Sequence, residues 1–224
     1  MDKKINQIPN WCKSYLSEND IHKLESVIHE IEKSTSGELV VVINRRCSEY
    51  KLLPFTLSLL FWIAIENSLL IDWAVGQLGH ATLVKIGFIL LSLVLGQTLG
   101  RLPILHRWLA SPSVRSAKAW AAAELEFYRS KIQNTKDATG ILVFISLYDH
   151  QVVVLADKKI SDKKPTETWN SLVSQILNGI KTDSLSAGIS EGLLQSGKVL
   201  KELFPANKVN ENELPNSIVF RDLY

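Results

Sequence analysis

Cysteine is nearly absent from this chain, and neither sign of charge prevails. Only Cys12 and Cys47 occur. With no second pair, the count argues against a disulfide framework or a cysteine-based zinc site, and two idle thiols is the plain reading. Basic residues number 25 and acidic residues 23, a balance that leaves no electrostatic footprint for nucleic acid. The first ten residues, MDKKINQIPN, have neither the apolar core nor the small-residue cleavage site of a secretory signal. The start of the chain is therefore expected to stay in the cytoplasm. The composition, 46% apolar and 21% charged, is not that of a disordered chain.

What the chain has instead is two long uncharged runs. Residues 52–65 read LLPFTLSLLFWIAI and residues 86–99 read IGFILLSLVLGQTL. Ser, Thr and Gln are scattered through them without forming a polar stripe, so neither is an ordinary amphipathic surface helix. With their edges, each run reaches about 20 residues, enough to cross ~30 Å of hydrocarbon. Glu66 and Lys85 lie toward the same end of the expected hairpin, where side chains reach the interface. Trp73 and Trp108 lie at the span ends, where indole rings prefer to sit. Arg45, Arg46 and Lys51 precede the first run; Arg101, Arg107, Arg115 and Lys118 follow the second; the loop at 74–82 has no Lys or Arg. The bias predicts both flanks in the cytoplasm and the loop outside. Glu66 is read as an interfacial residue rather than part of an ion pathway.

The flanks alternate helix and strand. Ser17, three residues before Asp20, opens a helix whose stripe is Ile21, Leu24, Ile28 and Ile31. Gly37 stops it, and ELVVVIN at 38–44 reads as a strand buried on both faces. After the insert, Ser113 is placed to cap a helix running to about 132, with Val114, Ala117, Ala121, Leu125, Tyr128 and Ile132 on one side. Strands are expected at 141–147 and 151–156, joined by a turn at Tyr148-Asp149-His150. A charged exposed loop, ADKKISDKKP, leads to helices at 166–180 and 184–203, the last facing inward with Ile189, Leu193, Leu194, Val199, Leu200 and Leu203. The fold class is therefore α/β, a small mixed sheet flanked by helices and interrupted by a transmembrane helical hairpin.

Three stretches together resemble the TPM domain family in its membrane-inserted bacterial branch. LSENDIHKLESVIHEIEKSTSGELVVVI is similar to that domain's opening helix, Ser-Gly-Glu step and strand. TGILVFISLYDHQVVVLADKKI is similar to its central hairpin. GLLQSGKVLKELFP and NELPNSIV resemble its closing helix and tail. The resemblance covers roughly 130 residues outside the hairpin. It implies a three-layer α/β sandwich in four segments: residues 1–50 as the first cytoplasmic part, 51–107 as the hairpin (spans at about 52–73 and 83–102), 108–205 as the second part, and 206–224 as a polar tail. It further implies a bacterial inner-membrane protein whose relatives include acid phosphatases and metal binders.

Chemistry of the phosphatase kind needs particular groupings. An Arg six residues beyond a cysteine would mark a cysteine phosphatase, but those positions are Glu18 and Leu53. There is no Asp-x-Asp pair, no Walker A loop and no His-Glu-x-x-His helix. Four acidic residues remain as candidates for a divalent cation such as Ca²⁺: Glu38, Asp149, Asp157 and Asp162. Lys158, Lys159, Lys163 and Lys164 compete with a cation there, which favours a solvated loop. His22 and His29 share a helix face, read as a wet outer surface. The expectation is thus a noncatalytic, membrane-anchored binding or assembly module with lipid and a protein partner. The alternative is a weak metal-dependent phosphatase at the membrane surface.

Overall fold

The computed structural model describes residues 8–47, 52–102, 104–105, 111–135, 138–206 and 213–222. In chain order its main elements are α1 (Glu18–Ser34), β1 (Glu38–Asn44), α2 (Leu53–Glu66), α3 (Leu69–Leu78), α4 (Ala81–Leu99), α5 (Pro112–Arg129), β2 (Gly140–Ser146), β3 (Gln151–Ala156), α6 (Lys158–Ser161), α7 (Asn170–Lys181), α8 (Leu185–Leu203) and β4 (Val219–Arg221). Two compact units result, one from residues 1–47 and 112–224, the other from residues 48–111.

The first unit is a mixed α/β domain. Every residue of β1 and β2 is buried, as continuous β-branched runs require. The two strands pair in parallel, from Glu38↔Gly140 to Asn44↔Ser146, and β3 returns antiparallel on β2. Among the described residues the strand order is β3-β2-β1-β4. A fourth strand lies within the segment read as a polar tail, 206–224: residues 219–221 pair in parallel with β1. Ile218 is fully buried and Phe220 meets Trp11 edge to face at 6.3 Å. Two apolar anchors thus seat a short strand on the open edge of the sheet.

Helices cover both faces. α1 starts with the expected capping box, in which the Ser17 hydroxyl accepts from the Asp20 amide and the Asp20 carboxyl accepts from the Ser17 amide. Its apolar stripe joins α7 and α8 over Leu39, Val41, Ile43, Ile141, Val143 and Ile145. The other face, with Val40, Val42, Leu142, Phe144 and Val153, is packed by α5. Here the stripe grouped on one side of the helix in the sequence faces outward. α5 buries Ala119, Ala122, Ala123 and Glu126, leaving Val114, Leu125 and Tyr128 exposed. Small side chains let the helix lie close against Phe144 and Val153, a fit the larger stripe does not allow. Ile132 is buried, as expected. On α8, Leu194 is likewise outside, and glycines face inward. A Cβ on Gly188 would lie 2.7 Å from the Gln175 carbonyl oxygen of α7. The segment expected as an exposed loop contains α6, a single turn that buries Ile160 completely.

The second unit is an apolar helical hairpin. α2 and α4 touch through small residues: a Cβ on Gly96 would run into the Ser58 backbone, and one on Gly100 into Pro54. Ser58 and Ser92 are buried in this seam. The first expected span, 52–73, is broken. α2 ends at Glu66, and the chain bends by 62° into the next helix. Asn67 Nδ2 donates to the Ile63 carbonyl and Ser68 Oγ to the Ile65 carbonyl, local bonds that compete with helix continuation. The 19 residues of α4 extend about 28 Å. Lys51, Arg107 and Trp108, used above for orientation and interface placement, lie outside the described residues.

Candidate functional site

In a sheet with parallel strands, ligands favour the carboxyl ends of those strands. β1 and β2 end side by side at Asn44 and Ser146, and the following turn brings Asp149 back over them. The Asp149 Oδ2 accepts from the Cys47 amide and from Ser146 Oγ, the latter at 2.7 Å. Asn44 Nδ2 donates to the Arg46 carbonyl and to Cys47 Sγ at 3.0 and 3.2 Å. Arg115 of α5 donates to the Asp149 carbonyl at 3.3 Å. The backbone closes the knot, with Leu147 and Tyr148 amides on the Asn44 and Arg45 carbonyls. Burial pushes the Cys47 thiol up to about 11, so it is protonated at neutral pH and a poor nucleophile. Cys12 is held up to about 12 by the same cause. Asp149 thus ties two strand ends and a turn together.

The opposite end of the sheet holds a second acidic group. Glu38, the first residue of β1, accepts from the Glu213 and Leu214 amides at 3.2 and 3.4 Å. Glu32, from the last turn of α1, accepts from the Leu39 amide at 2.9 Å. The two carboxyls are neighbours, and the charge of Glu38 adds to the rise of Glu32. Burial lifts Glu32 to about 8 and moves Glu38 upward as well. At neutral pH Glu32 therefore keeps its proton, as expected of one of two adjacent buried carboxyls. Glu32 is a residue the sequence reading passed over. Its signal was there: it lies four positions after Ile28, on the apolar face of α1.

The four cation candidates do not converge. Glu38 and Asp149 sit at opposite ends of a seven-residue strand, about 20 Å apart. Asp157 lies at the Glu38 end, its amide bonded to the Gly140 carbonyl. Its side chain accepts from the Lys158 amide and caps α6. Asp162 is exposed at the end of that turn. Among the described residues no group of three His, Cys, Asp or Glu side chains is arranged to hold a metal ion. His29 shares a hydrogen bond with Asn216 at 3.3 Å, whereas His22 is exposed beside Glu25. Glu66 pairs with Lys85 at 3.3 Å, linking the end of α2 to the start of α4.

Two letter patterns suggestive of catalysis fall inside α8. Residues 188–192 read Gly-Ile-Ser-Glu-Gly, but a nucleophile elbow requires a sharp strand-to-helix turn. Residues 192–198 read Gly-x4-Gly-Lys, followed by Val199 where a P-loop needs Ser or Thr. The glycines serve packing: Gly192 lies against Leu172 and Gly197 against Ile31. A cleft of about 420 Å³ opens beside Ser190, between the starts of α1 and α8. It is lined by Tyr15, Asp20, Lys23 and Asp183, and Asp20 there is committed to the Ser17 cap, which lowers its pKa.

No protein-family model and no curated protein matches this sequence. A solved structure does match its fold. The NMR structure of BA42 protein from the psychrophilic bacterium Bizionia argentinensis superposes with a TM-score of 0.57 at 19% identity, covering 92% of this chain and 95% of that one. At that identity the likeness speaks for the α/β fold alone.

Proposed function

We propose that this chain is a membrane-anchored α/β module of TPM type that binds or assembles partners at the cytoplasmic face of a bacterial inner membrane. The observation that carries the reading is the hairpin. Its apolar side chains, Leu59, Leu60, Leu90 and Val94 among them, face outward, while its seam is built of Ser58, Ser92 and Gly96. A soluble hairpin would bury its large residues and show its small ones; lipid reverses that preference. The absence of Lys and Arg from residues 74–82 supports an outer loop.

Binding is favoured over catalysis because the acidic candidates are engaged in structure. Asp149 ties strand ends, Glu38 holds the C-terminal segment, and Asp157 caps a helix. A hydrolase needs carboxylates or a metal converging in one cleft. The test has two arms. After alkaline carbonate washing the full chain should stay with membranes, and a tag within residues 76–79 should react only from outside the cell. Detergent-purified chain should leave a generic phosphomonoester intact with and without Ca²⁺ or Mg²⁺. Metal-dependent turnover lost in Asp149→Ala or Asp157→Ala would replace this reading with the phosphatase one.

A further inference from the structure

We infer that α5 docks on the bilayer surface through its outward apolar stripe, so that the domain rests on lipid instead of hanging free on its hairpin. This rests on the membrane reading above. Val114, Ala117, Ala121, Leu125 and Tyr128 fall within an arc of about 80° on an α-helix. All five are exposed, Tyr128 by 65%. The opposite face of α5 is already spent on the sheet. The helix is therefore apolar on two sides, and one of them has no use inside the domain.

Three observations select lipid as the occupant. Only 12 residues separate Leu99, the end of α4, from Pro112, the start of α5. Fully extended, that connection reaches at most about 45 Å. A span in the membrane thus holds α5 near its surface, where even a weak attraction is converted to high occupancy by effective concentration. Tyr128 and the half-exposed Trp120 on the same helix have the amphipathic rings that favour the headgroup level. Lys118 and Arg129, the latter paired with Glu126 at 3.4 Å, run along one margin of the stripe, with Glu124 on the other margin.

The full chain in vesicles of phosphatidylethanolamine and phosphatidylglycerol, doped with lipid carrying a nitroxide on the headgroup for positions 125 and 202 or on the acyl chain for position 91, provides the test. A fluorescent amino acid is placed at position 125 on the stripe, at 91 in α4, or at 202 on the exposed side of α8. Docking predicts quenching at 125 several-fold above that at 202, and its loss in Tyr128→Glu, a change at an exposed site. Quenching at 91 with none above background at 125 would overturn docking and leave the membrane reading standing. No quenching at 91 would overturn both. A concentration-dependent blue shift at 125 without lipid would make the occupant a second copy of this chain and likewise overturn the proposal.

Discussion

Glu32 and Glu38 give the domain a titration that their side-chain types alone would not suggest. Burial holds Glu32 at about 8, far above a carboxyl in the unfolded chain. Between those two values the folded state binds the extra proton, so stability falls as pH rises. The contribution is fully present below the unfolded pKa and gone once pH passes the folded one. The unfolding free energy of the full chain should therefore fall from pH 5 to pH 9 by on the order of 3 kcal/mol, read as a lower urea midpoint. Glu32→Gln, which keeps an acceptor for the Leu39 amide but cannot ionise, should flatten that slope. A wild-type midpoint that is level across this range would refute the raised Glu32 pKa. Glu126 makes a different point about single residues. It is wholly buried on α5, yet Arg221 and Arg129 reach it at 3.1 and 3.4 Å. One of its partners comes from the C-terminal strand, a pairing that no local pattern announces.

At the scale of elements, the capping of α1 and the hairpin seam have separable energetics. Ser17→Ala removes the hydroxyl that accepts from the Asp20 amide, while the Ser17 amide still donates to the Asp20 carboxyl, and should cost about 1 kcal/mol, read as a lowered unfolding midpoint. Gly96→Leu inserts a side chain against the Ser58 backbone, whereas Gly87 has nothing within 4 Å of an added Cβ. Gly96→Leu should lower the detergent melting temperature sharply, by the equivalent of roughly 1–3 kcal/mol or more. Gly87→Leu should leave it nearly unchanged, and equal effects from the two would argue against this seam. Element existence was largely legible in the sequence: α1, β1, β2, β3 and α8 follow their apolar runs. Facing was not legible for α5, because an α-helix with apolar residues on two sides offers two answers. Which one wins depends on the room left above Phe144 and Val153. The broken first span was also hidden, since Asn67 and Ser68 act through bonds to Ile63 and Ile65 that composition does not specify.

At the scale of the whole molecule, the C-terminal segment is a strap across the domain. Glu38 accepts from residues 213 and 214, Glu25 from Ile218, and Glu126 from Arg221, while Arg45 pairs with Asp222. Ending the chain at residue 206 would remove β4, bare the edge of β1 and strip these carboxyls of their partners. Such a protein should melt well below the full chain and elute as higher oligomers on size exclusion, since an open parallel edge invites pairing. A monodisperse truncation with an unchanged midpoint would show that the strap is dispensable.

What the amino-acid order fixed unaided is whatever depends on neighbours in the chain: the uncharged runs, the α1 cap, the buried β-branched strands and hence an α/β class. Those signals are local, set by side-chain period and by backbone capping. The tertiary structure alone decided that Glu38 and Asp149 stand at opposite ends of the sheet, that Glu32 is buried beside Glu38, and that the tail closes as a fourth strand. The ends of the sheet and the closing strand join residues far apart in sequence, where the outcome is set by packing and desolvation and leaves no periodic trace.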